Sequence, residues 1–133
     1  MERRDYLERE IEKMQAVLQK IFRMRVDKDE EVQEVISTEL ARYFDTNLLH
    51  LQRISESDFL AFIQNKNIAL IDFLGSLLYA SVNLDLPLDN VDQLSLKKAL
   101  LAWEAWEHKT KTLDLERLEN KNKIIALLNN QSN

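Results

Sequence analysis

The chain has no cysteine, one glycine (Gly75) and one proline (Pro87) in 133 residues, and each scarcity removes a class of structure or chemistry. Without cysteine there is no disulfide framework, no thiolate nucleophile and no thiolate zinc site. A single glycine cannot build a glycine-rich phosphate loop. So few turn formers argue against the many short strands of a β-sandwich or barrel. Long apolar runs are missing too. The most apolar stretch, Ile68 to Val82, is shorter than the roughly 20 residues that span a bilayer, and Asp72 interrupts it. No apolar segment follows the charged start Met1-Glu2-Arg3-Arg4-Asp5, so no secretory leader is expected. A cytoplasmic protein with no membrane partner follows as the expectation.

Charge of one sign is nowhere concentrated enough for nucleic acid. Residues 1–26 carry seven Lys or Arg against five Asp or Glu, and residues 97–133 carry the same numbers. Residues 27–60 carry three against nine, within a net charge of −5. A duplex-binding surface needs a basic patch that displaces counterions from phosphates. These evenly mixed ends are not one, so no nucleic-acid partner is expected.

What the chain does have is helix. Leu and Glu are the commonest residues, and Lys, Ala, Ile and Gln are well represented, all of them compatible with helices. The length fits a single domain over residues 1–133 with its own core. Leu7, Ile11, Met14, Leu18 and Ile21 recur at spacings of four and three, one apolar seam on a helix over residues 2–25, widened by Val17 and Phe22. Asp5→Arg9 and Glu10→Lys13 pairs support its exposed side. Asp29 caps a second helix whose inward face is Val32, Val35, Ile36, Leu40, Tyr43 and Phe44. A short segment from Leu48 to Arg53 follows. Ser55 with Asp58 resembles a capping box for the next helix, and Asn65-Lys66-Asn67 divides that helix from Ile68–Val82. After the loop at residues 83–90, two helices remain, from Asp92 or Ser95 to Lys109 and from Leu113 to Asn129, with a frayed tail at 129–133. The expected fold is all-α, with five to seven helices stacked as antiparallel pairs.

Chemistry concentrates in the stretch Leu100-Leu101-Ala102-Trp103-Glu104-Ala105-Trp106-Glu107-His108. At about 100° per residue, Leu96, Ala99, Leu100, Ala102, Trp103 and Trp106 share one arc, with Glu104 and His108 one turn apart on its flank. A di-iron bundle would need Glu-x-x-His repeated on separate helices, but position 105 is alanine before His108, and position 47 is asparagine before His50. His-Glu-x-x-His is absent as well. The segment therefore reads as a buried tryptophan face with a charged edge, with no metal, no cofactor and no catalytic residue.

In the apolar helix Ile68–Val82, Asn65, Asp72, Ser76 and Tyr79 fall on one narrow arc, with Ala69, Gly75 and Ala80 beside it. This arc is either a solvent strip, a close helix crossing at Gly75, or a polar groove for a peptide or small ligand anchored by Asp72. A buried Asp72 would need a cationic partner, and Arg42 and Arg53 are the candidates.

The opening Asp5-Tyr6-Leu7-Glu8-Arg9-Glu10-Ile11-Glu12-Lys13-Met14, continuing Val17-Leu18-Gln19-Lys20-Ile21, resembles the N-terminal helix of small uncharacterised bacterial proteins. In those, an Asp-Tyr-aliphatic start precedes a similar helix and a tetratricopeptide-like helical body. The likeness spans about a fifth of the chain and implies an all-α bacterial cytoplasmic protein. It brings no catalytic residue with it, and the Trp-x2-Leu-Gly-x2-Tyr repeat signature does not occur here.

The reading that results is a non-enzymatic protein–protein interaction or scaffold module. The alternative is a small-molecule-binding or enzymatic bundle with a polar site at Asp72, Ser76 and Tyr79. The first helix is roughly 35 Å long at 1.5 Å per residue, more than so small a domain needs. Tyr6, Leu7 and Ile11 should therefore lack an intrachain partner, and a homodimer is expected with this helix, or the helix around Gly75, at the contact.

Overall fold

The computed structural model describes residues 2–24 and 29–131. Among the described residues it is all-helical, with seven helices and no strand. These are α1 (Glu2–Met24), α2 (Asp29–Phe44), α3 (Leu48–Arg53), α4 (Glu56–Gln64), α5 (Ile68–Ala80), α6 (Asn90–Thr110) and α7 (Leu115–Gln131). The expected cap at Asp29 and the Asp5–Arg9 pair rest on side chains outside the described ones.

Short polar side chains start the helices. Asn47, Ser55 and Asn67 each accept a hydrogen bond from the backbone N–H three residues on, opening α3, α4 and α5, which satisfies donors that have no partner inside the helix. Asp89 and Asp92 form a reciprocal capping box, so α6 begins at Asn90, a little earlier than its apolar pattern. The Asp114 carboxylate accepts from Arg117 N–H at 3.0 Å, which moves the start of α7 from Leu113 to Leu115. At its other end, α7 continues to Gln131, so Asn129 and Asn130 are helical rather than frayed. Where helices stop, the scarcity of glycine shows. Lys111 takes the left-handed conformation at the end of α6 (φ 54°), and Asp45 does so after α2 (φ 51°). These are positions where glycine is the residue without steric cost.

The helices pack largely as antiparallel neighbours. Tyr43 near the end of α2 meets Glu10 in the first half of α1. The Lys109 ammonium near the end of α6 donates to the carbonyl of Gln64, the last residue of α4 and four residues before α5 starts, while mid-helix Trp103 lies on Gly75. α5 and α6 form the most intimate pair. Ile71, Leu74, Leu77 and Leu78 of α5 are fully buried with Leu96, Ala99 and Ala102 of α6. The buried face of α6 is wider than its apolar arc, because α3 and α4 cover its far side. There Ser95 accepts a hydrogen bond from the amide of buried Gln52 at 2.7 Å. Lys98 is also buried there, its ammonium 6.0 Å from the Phe59 ring centre, and burial pushes its pKa down. No helix among the described residues is long and apolar enough to cross a membrane.

Candidate functional site

The two tryptophans of the Glu104–His108 region have different environments. Trp103 is 2% exposed. Its indole lies against Gly75 and packs on the Tyr79 ring at a centroid separation of 5.4 Å. Its Nε1 is buried without a hydrogen-bond partner, because it faces the bare Cα of Gly75. Trp106 is only half-buried, and the Arg117 guanidinium stacks on its face, 3.8 Å from the ring centre. Glu104 and His108 are exposed. Glu107 turns inward to Lys121 of α7 at 3.0 Å. Among the described residues no group of three His, Asp or Glu is arranged to hold a metal.

Asp72, Ser76 and Tyr79 come together as the arc on α5 predicts. They line a half-open cleft of about 200 Å3, with Leu18 and Phe22 of α1 on one side and Asp114, Arg117 and Asn120 on the other. Asn65, on the same expected arc, is outside it and ends α4. The partner of Asp72 is neither Arg42 nor Arg53. Arg117 of α7 donates from Nε to Oδ1 at 2.8 Å and from a terminal nitrogen to Oδ2, while its other terminal nitrogen lies 3.1 Å from Asp114. The planar guanidinium fork suits this two-point grip, and the carboxylates raise the pKa of Arg117 further. Arg42 instead pairs with Glu39, one turn back on its own helix. Both Asp72 oxygens are thus engaged within the fold, and the pair ties α7 to α5. Burial raises the pKa of Tyr79.

A second cleft, of about 150 Å3, lies where α1 begins to run beside α5. Leu7, Ile11 and Met14 form one wall, Ala69 and Leu70 the other, with Tyr6 and Tyr43 at its edge. α1 and α5 therefore run parallel, the first half of α1 beside the start of α5 and the second half beside Asp72, Ser76 and Tyr79. The buried ridge of α1 is Met14 and Ile21. On the α5 side of that ridge, Leu7 is 46% exposed, Ile11 37% and Phe22 59%. Tyr6 is exposed too, but about 100° away round the helix, toward α2. Gly75, by contrast, lies beneath Trp103, so the helix around it offers no free contact face there.

On the α2 side, the Tyr43 hydroxyl donates to Glu10 Oε2 at 2.9 Å. Burial and the Glu10 carboxylate push the Tyr43 pKa up to about 12. The same hydrogen bond, with Lys13 beside it, holds Glu10 below its ordinary value.

Compared with known protein families, curated proteins and solved structures, the chain matches none.

Proposed function

We propose that this chain is a non-enzymatic interaction module whose docking element is the exposed apolar edge of α1. The observation that supports this is the row Leu7, Ile11 and Phe22, large apolar side chains left open to solvent beside the ridge of Met14 and Ile21 that packs into the core. Scattered exposed leucines need no explanation, but a row along one helix edge, bordered by clefts, is what an association surface presents. On this proposal the partner surface comprises Leu7 and Ile11, with Tyr6 at the rim, and the protein is a homodimer. The likeness of the α1 sequence to tetratricopeptide-like bacterial proteins fits a helical adaptor working in a bacterial cytoplasm.

A second reading places a small-molecule or enzymatic site in the cleft of Asp72, Ser76 and Tyr79, and the convergence of the three in one concavity favours it. The grip of Arg117 on both Asp72 oxygens weighs against it, because the anionic anchor of such a site is already used to hold α7.

The test is the variant Leu7→Lys/Ile11→Lys compared with wild type by sedimentation velocity and thermal unfolding. The proposal expects loss of self-association with an unchanged melting curve, since both side chains lie outside the core. Identical sedimentation of the two proteins would overturn the assignment of this edge.

A further inference from the structure

α7 is held to the fold differently from α5. Seven of the 13 residues of α5 are buried. In the 17-residue α7, Ile124 alone is buried among the described side chains, with Leu127 and Leu128 half-covered beside it. Its main neighbour is α6. So small an apolar contact does not by itself anchor a helix of this length, because helical stability in a protein comes mostly from packing.

Charge supplies what apolar burial does not. Arg117 grips both oxygens of Asp72 on α5 and stacks on Trp106 of α6. One turn on, Lys121 donates to Glu107 Oε2 of α6 at 3.0 Å. Both cations are largely covered, with 19% of the Arg117 side chain and 14% of the Lys121 side chain exposed. Each therefore surrenders most of its hydration when α7 is in place, and the attraction of a covered pair does little more than offset that loss. One atom recovers nothing. Glu107 Oε1 is buried without a partner, an acceptor that water would satisfy if α7 stood away. The closed arrangement thus carries a penalty directly beneath α7, with little apolar burial to oppose it.

We infer that α7 is an ionically latched lid, a unit that lifts from α5 and α6 in one piece while the other helices stay folded. The latch is the Arg117 grip on Asp72 together with the Lys121–Glu107 pair. Lifting α7 takes away one wall of the cleft at Asp72, Ser76 and Tyr79, because Arg117 and Asn120 leave with it. It bares the face of Trp106 that the guanidinium covers, and it frees Ile124, Leu127 and Leu128 on the helix itself. Opening and closing of α7 therefore govern access to the cleft and to Trp106, whatever binds at α1.

Hydrogen exchange on the full chain, followed by mass spectrometry at rising but sub-denaturing urea, tests this. Amides released by a small opening respond weakly to urea, whereas those that wait for global unfolding respond steeply. Residues 118–128 are expected to exchange about a hundredfold faster than α5, at one shared rate and with a shallow urea dependence. Exchange of α7 at the rate and urea slope of α5 overturns the lid, because α7 then unfolds only with the whole chain. A rate that climbs residue by residue toward Gln131 overturns it as well, since that is fraying. Two variants test the latch. Lys121→Met leaves Glu107 wholly unpaired and should speed α7 exchange about tenfold, whereas Glu107→Leu/Lys121→Met removes both the pair and the orphaned oxygen and should slow it about tenfold below wild type. Unchanged α7 exchange in both variants overturns the ionic latch.

Discussion

Gly75→Ala should destabilise this protein even though it replaces a mid-helix glycine with the best helix former. The propensity gain alone is about 1 kcal/mol. Against it, a Cβ at position 75 would stand 2.6 Å from Trp103 Nε1 and 2.7 Å from Cδ1, so the indole must retreat by nearly 1 Å. That ring is 2% exposed and packed on Tyr79, and α5 and α6 form the closest pair in the fold, so the movement displaces the core. Overpacking a well-filled core costs up to about 3 kcal/mol, which leaves a net loss of about 2 kcal/mol. For a domain of this size the melting temperature should fall by about 7 °C. Urea unfolding followed by tryptophan fluorescence gives the free energy, and Trp103→Leu supplies the control background. With the indole gone, Gly75→Ala should become stabilising by up to about 1 kcal/mol, a coupling of about 3 kcal/mol between the two sites. A higher melting temperature for Gly75→Ala in the native background would refute the argument. An undiminished penalty in the Trp103→Leu background would do the same.

Arg117→Leu strips the partner from Asp72 and weakens the hold on Asp114. Both carboxylates still reach solvent, so a loss of about 2 kcal/mol is expected rather than the larger cost of a fully buried pair. Arg117→Lys should recover only part of it, because an ammonium lacks both the fork and the stack on Trp106. Chemical denaturation of the two variants checks this. Tyr43 gives a pH signature. An unfolded tyrosine releases its proton near pH 10 and the folded one at about 12. The contribution of Tyr43 is therefore present below pH 10 and is lost as pH rises through 12. Stability measured across that window should fall less steeply in Tyr43→Phe; an unchanged slope would show that the hydrogen bond to Glu10 does not hold the proton. Lys111→Gly should raise stability by up to about 1 kcal/mol by relieving a left-handed position, and differential scanning calorimetry would detect it.

The physical range of each interaction decided what could be read from the chain. Helix starts at Ser55 and Asn67 are legible because a cap acts over three residues. The exposure of Leu7 and Ile11 does not come from an overhang, since both stand beside Ala69 and Leu70 of α5. The apolar seam of α1 is wider than the ridge of Met14 and Ile21 that the core covers, and Phe22 near the other end is exposed for the same reason. Asp72, Ser76 and Tyr79 share a helix arc, so their convergence followed from spacing. What spacing could not give was the other wall of their cleft. Arg117 lies 45 residues from Asp72, and nothing local distinguishes it from Arg42 or Arg53. The same holds for Trp103 on Gly75, for Lys121 on Glu107, and for Lys98, whose burial comes from α3 and α4 folding over the side of α6 that its own sequence marks as polar. The early start of α6 was a different kind of omission. Asp89 and Asp92 carry the same local signal as Ser55 and Asp58, but they stand at the end of a loop rich in Asp and Asn, where several side chains could cap.

The most direct test of the whole account is the mass of the native chain in solution, by light scattering over a dilution series from a few hundred micromolar to about one micromolar, the span in which a modest helix–helix interface dissociates. A species of twice 15.7 kDa is expected at the concentrated end, falling toward 15.7 kDa on dilution. The Leu7→Lys/Ile11→Lys variant should remain at 15.7 kDa throughout. A wild-type mass of 15.7 kDa at every concentration would contradict it.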